Sequence, residues 1–179
     1  MPVLLPGMTL SERDIPALRR ALKELRDMHL SRVMETDRDK LFFMLVHSAL
    51  EDFFNSFKLT DHVWIATDES AQNVIGLLTA DDARQLLMPV KKTYTGLHRR
   101  GPTSLSHQSV GCIGCLMEKA ELRSLSPSHT VSEALELMEN HDLAYLAVVE
   151  NNKFQGEVSL SRLAVLLTEL LAQSHSDTT

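Results

Sequence analysis

Cysteine is nearly absent from this sequence: of 179 residues, only Cys112 and Cys115 carry a thiol. Two cysteines this close together cannot staple a secreted fold, so a disulfide framework is excluded and a reducing compartment is expected. Long apolar runs are missing too. No segment approaches the roughly 20 residues that a membrane-spanning helix needs. The stretch from Met1 to Gly7 lacks the basic start, long apolar core and small-residue cleavage site of a secretory leader. A cytoplasmic protein without a membrane partner is the expectation. Positive charge is also scarce: the formal net charge is −6 with no long basic tract, so nucleic acid is not an expected partner. Neither a Ser/His/Asp order, nor a phosphate loop with its lysine, nor a His-x-x-x-His pair is present, and no catalysis is expected.

What is present is a pattern that recurs. Residues 1–31 hold a leading segment and an amphipathic helix that Ser11 can cap, with Ile15, Leu18, Leu22 and Leu25 as its apolar face. From Arg32 the chain runs through an apolar strand at Leu41 to Val46 and a helix marked by Leu50, Phe53, Phe54 and Phe57. Two short apolar runs follow, Val63 to Ala66 and Val74 to Leu78, which read as a hairpin, and a further helix opens at Thr79. That first copy occupies 32–90. A basic, polar linker spans 91–113, and the pattern then repeats over 114–173, ahead of a frayed tail at 174–179. In the second copy Thr130 and Glu133 stand at capping-box spacing before an amphipathic helix, and Glu150 to Lys153 forms the hairpin turn. The expected architecture is α/β in its mixed α+β form. It comprises two tandem strand–helix–strand–strand–helix units packed together as one module, because neither buries enough surface alone.

Each copy closes on a glycine-led turn from strand to helix. In the first, Gly76, Leu77, Leu78 and Thr79 lead to Asp82. A helix start offers unpaired N–H groups and the positive end of the dipole, which suit phosphate. Thr79 can add a hydroxyl, and Asp82 can accept from ribose hydroxyls. The plainer reading of the same residues is a helix cap, with Thr79 at the N-cap and Asp82 as its acidic third residue. In the second copy Gly156, Val158 and Ser159 keep the pattern, but Arg162 stands where the acid was. A guanidinium only donates, so it would face phosphate or a neighbouring acid.

These residues resemble paired CBS domains, named after cystathionine β-synthase and also called a Bateman module. The second copy carries the likeness most clearly, in Ser126-Pro127, Thr130 to Leu135, Ala147 to Val149 and Phe154 to Gly156. The resemblance implies a pseudo-twofold, non-catalytic regulatory module that forms homodimers. It would bind an adenine nucleotide (AMP, ADP or ATP) or S-adenosylmethionine between its repeats and report occupancy to a regulated protein. The family's ligand motif falls on Gly76, Leu77, Thr79 and Asp82, which makes the first cleft the working one. The alternative is a ligand-free dimerisation or interaction module.

One other constellation competes. Cys112 and Cys115 have the spacing that places two thiolates on one metal, and His107 lies upstream in the linker. A structural metal there is the variant of the interaction-module reading, set against the plainer alternative of two idle thiols.

Overall fold

The computed structural model describes residues 14–82 and 122–176. The expected Ser11 cap, the helix beyond Asp82, the basic linker and its histidines, and Cys112 and Cys115 lie outside the described residues. In chain order the elements are α1 (Asp14–Asp27), α2 (Leu30–Val33), β1 (Phe43–Leu45), α3 (Leu50–Ser56), β2 (His62–Ala66), β3 (Val74–Thr79), β4 (Ser124–Leu125), α4 (Val131–His141), β5 (Tyr145–Glu150), β6 (Lys153–Ser159) and α5 (Leu160–Ser176). The strand–helix–strand–strand order therefore occurs twice, in two three-stranded sheets ordered β1-β2-β3 and β4-β5-β6. The last helix continues to Ser176, into the stretch expected to fray.

The contacts divide the chain into two compact units, and the division does not follow the repeats. One unit takes the residues up to Glu35, Ser124–Val148 and those from Glu157 on; the other takes Thr36 to Arg123 with the hairpin tip Val149–Gly156.

In the first unit α1 packs on α5 and α4. Its buried line is Ala21 and Leu25, whereas Ile15 and Leu22 are 41% and 38% exposed. The apolar stripe read from the sequence is thus rotated. Leu18, Ala21 and Leu25 share one line of the helix, while Ile15 and Leu22, seven apart, lie on its flank. The core gathers Leu25, Leu30 and Val33 with Val131, Ala134, Met138, Leu146, Val148, Val158 and Leu163. Two helix starts satisfy each other's surroundings: Leu30 N–H donates to His129 O (2.8 Å) and Val131 N–H to Met28 O (2.9 Å), so first-turn donors that helices leave unpaired find carbonyls instead. Helix α4 has the full capping box expected of Thr130 and Glu133, and it ends on Asp142 in the left-handed conformation. The β5–β6 turn places Asn151 and Asn152 at φ 51° and 60°, a conformation asparagine tolerates better than most residues and one that matches strand twist.

Glu133 gives this unit a pH dependence. The Thr130 backbone N–H, and then its hydroxyl, hold the Glu133 carboxyl below its ordinary value of 4.5. A depressed folded pKa means the cap's contribution is present above the unfolded value and is lost as pH falls through the folded one. Chemical denaturation followed below pH 4.5 is expected to show stability falling with acid, and Glu133→Gln to flatten that part of the fall.

In the second unit β2 is the central strand, parallel to β1 and antiparallel to β3. All five of its residues are buried, because both faces of a central strand are covered. Val63 and Ile65 point to a core made with Phe53 and Leu78. His62, Trp64 and Ala66 occupy the other face by the alternation of the strand, where the Trp64 ring meets Phe154 at 5.3 Å between centroids. The ladder slips between Ile65 and Ala66, whose partners are Gly76 and Val74. Ile75 is the extra, bulged residue that bends β3 ahead of its turn.

Candidate functional site

The register sets what stands beside the first turn. His62 pairs with Thr79 across β2 and β3, and directly opposed residues put their side chains on one face of the sheet. The first residue after the strand, Ala80, donates its N–H to Asp61 O at 2.8 Å. This tethers the start of the helix, which begins at Ala80, to the start of β2. Gly76 and Leu78 are buried while Leu77, Thr79 and Asp82 are half-buried.

Thr79 and Asp82 are bonded to each other three ways. Asp82 Oδ2 accepts from the Thr79 N–H at 2.7 Å and from its hydroxyl at 2.8 Å, and Thr79 Oγ1 accepts from the Asp82 N–H at 3.3 Å. Thr130 and Glu133 make the same set, at 2.7, 3.0 and 3.3 Å. The turn at Thr79 is therefore a capping box, as the plainer reading had it. This does not exhaust the carboxylate, whose two oxygens offer about four acceptor positions.

The second turn repeats the frame and changes its chemistry. Leu160 N–H donates to Ala144 O at 3.1 Å, the counterpart of Ala80 on Asp61. Arg162 N–H reaches Ser159 Oγ at 3.2 Å, the counterpart of Asp82 on Thr79. Gly156, Val158 and Ser159 are all buried. The Arg162 side chain turns to a neighbouring acid: its guanidinium donates to Val33 O and to Glu35 Oε2, the latter at 3.0 Å. Glu35 is itself fixed by paired backbone bonds with Glu157, at 2.8 and 3.1 Å. Arg162 thus joins the segment before β1 to the start of α5, and of the two partners considered for it, phosphate and a neighbouring acid, the structure shows the acid.

Sequence reasoning missed His62. It is only 7% exposed, and its Nδ1 lies 2.8 Å from Asp61 Oδ1, with its ring edge-on to Trp64 at 6.3 Å. Its signal was a histidine opening an apolar strand. Arg38 was missed as well: its guanidinium covers the Phe43 ring at 5.0 Å and donates to Ala71 O at 3.1 Å. The metal candidates Cys112, Cys115 and His107 lie outside the described residues. Among the described residues no group of three or more His, Cys, Asp or Glu is placed to hold a metal, and no helix is long and apolar enough to cross a membrane.

Residues 113–169 match the CBS domain family. A search of curated proteins finds no match. Among solved structures, the chain is similar to the CBS domain of the bacterial CNNM/CorC family Mg2+ transporter in complex with ATP. The identity is 14%, covering 86% of this chain and 96% of that one, with a TM-score of 0.63. It is similar to CBSX2 in complex with AMP, with 16% identity over 79% of this chain and 97% of that one and a TM-score of 0.61. It is also similar to a hemolysin-like protein containing a CBS domain from Oenococcus oeni PSU, with 17% identity over 84% and 97% and a TM-score of 0.61. The chain has the fold of CBS-domain proteins, with two strand–helix–strand–strand repeats, and residues 113–169 carry the family's sequence pattern.

Proposed function

We propose that this protein is a non-catalytic regulatory module that binds an adenine nucleotide or an adenosyl compound at the turn Gly76–Asp82. Occupancy is passed to a partner protein. The observation that carries this reading is the strand-to-helix turn itself, where a hydroxyl, a carboxylate and a helix start converge beside a buried histidine. Phosphate suits the N–H groups and Thr79, and the ribose hydroxyls donate to Asp82. Support comes from solved relatives of the same fold, one in complex with ATP and one with AMP. The second turn is a weaker candidate, since Arg162 is committed to Glu35 and supplies no acceptor for a ribose. Binding moves a partner's activity only if the ligand favours one packing of the module over another, and a homodimer in the cytoplasm is the form in which we expect this to operate.

A second reading, a ligand-free assembly module, is favoured by one observation: Thr79 and Asp82 already satisfy each other just as Thr130 and Glu133 do. A matched pair of variants separates the two. Asp82→Ala and Thr130→Ala each remove half of a capping box and are each expected to cost about 1 kcal/mol. In a thermal-shift panel of AMP, ADP, ATP and S-adenosylmethionine, a ligand at 100 times its dissociation constant adds about 2.7 kcal/mol. The nucleotide reading expects that gain in wild type and Thr130→Ala and its loss in Asp82→Ala. No gain with any of the four ligands in wild type or in either variant would favour the assembly module.

A further inference from the structure

The outer side of α1 carries a charge opposite to that of the chain as a whole. Within a net charge of −6, Arg19, Lys23 and Arg26 recur at spacings of four and three, so they share a helix face over about 10 Å. With Leu22, Asp27 and Ser132 they line an open groove of about 370 Å³ beside the start of α4. Among the described residues three cations meet one carboxylate there. Arg26 is held in position by donating to Ser132 Oγ at 3.2 Å.

We propose that this groove docks an acidic helical segment of a partner protein, with carboxylates at the same spacings around an apolar residue. The cations lie in a row and do not converge on one point, which suits a line of carboxylates better than a single phosphate. Leu22, 38% exposed among them, offers an apolar contact that a helix would cover and a small anion would leave in water. The inference is independent of the nucleotide reading, which rests on residues of the other unit.

The test uses the full chain and a fluorescein-labelled helical peptide carrying Glu at three positions, four and three apart, around a central Leu. A twin peptide has Gln in place of Glu. The Glu peptide is expected to bind wild type at low salt, to weaken as salt rises, and to outcompete its twin. Binding to the Arg19→Glu, Lys23→Glu double variant is expected to be weaker by about tenfold or more, and a Lys version of the peptide to prefer that variant. The milder Arg19→Gln, Lys23→Gln pair gives the same result at smaller size, with thermal unfolding confirming the fold. Equal affinity for wild type and variants would overturn the proposal. So would an absence of peptide binding, including the case in which inorganic pyrophosphate alone stabilises the protein through these residues.

Discussion

Phe53→Ala is expected to lower stability by about 3–5 kcal/mol, among the largest losses expected of a single truncation in the unit that holds Thr79. The reason is the apolar cluster in which its ring packs. Among the described residues the cluster's buried members are Phe53, Val63, Ile65 and Leu78, so one aromatic ring supplies a large share of the apolar surface it removes from water. Phe53 is 0% exposed and touches Phe54 and Phe57 ring to ring, at 5.5 and 4.8 Å. Its removal leaves a cavity bounded by a central strand, which cannot shift inward without breaking pairing on both sides. Urea denaturation checks this, and Phe53→Leu, which keeps most of the volume, is expected to lose less than half as much. A loss under about 1 kcal/mol would mean that the ring is not the centre of this core.

Arg162→Asp is expected to cost about 3 kcal/mol, although it restores the acid that the nucleotide pattern asks for. The guanidinium is 37% exposed and the Glu35 side chain 17%, so the pair is only partly sheltered and its loss is smaller than for a deeply buried one. The substitution removes the bonds to Val33 O and Glu35, then sets a second carboxylate where Glu35 already lies. Arg162→Ala removes the bonds without adding repulsion and should lose less. The double change Glu35→Arg with Arg162→Asp reverses the pair, and it is expected to recover part of the loss in a denaturation cycle. Should Arg162→Asp prove neutral, or bind nucleotide more tightly than wild type, the ion pair would not be what shaped this second turn.

The repeat, the strand–helix–strand–strand order and the Thr130–Glu133 cap were legible because each rests on local spacing: periods of two or about 3.6 residues, and a hydroxyl three residues before an acid. The groupings that join distant segments were not. Val33 reads as the opening of the first copy, yet it is buried with Val131, Met138 and Leu163, because an apolar residue's spacing does not say which core will receive it. The stripe of α1 was misplaced for a similar reason. Ile15, Leu18, Leu22 and Leu25 fit a helix face, but Ala21, too small to stand out in the sequence, lies at its buried centre with 2% exposure.

The candidate site shows the same boundary. That Arg162 would face phosphate or a neighbouring acid followed from its donor-only chemistry; that it meets an acid, and that the acid is Glu35, 127 residues away, depends on tertiary packing. His62 reaches Thr79 through strand register, which the bulge at Ile75 alters and which no local pattern encodes. The ambiguity at Thr79 and Asp82 is chemical. A capping box and a nucleotide turn use the same hydroxyl, the same carboxylate and the same helix start, so neither the spacing nor the geometry alone distinguishes them.

Titration calorimetry with AMP, ADP, ATP and S-adenosylmethionine on wild type, Asp82→Ala and Thr130→Ala tests the central proposal most directly. The account predicts that at least one of these ligands binds with a site on each chain, that Asp82→Ala abolishes it, and that Thr130→Ala, equally disturbed in its cap, retains it. Binding that survives unchanged in Asp82→Ala, or no binding of any of the four to wild type, would contradict it.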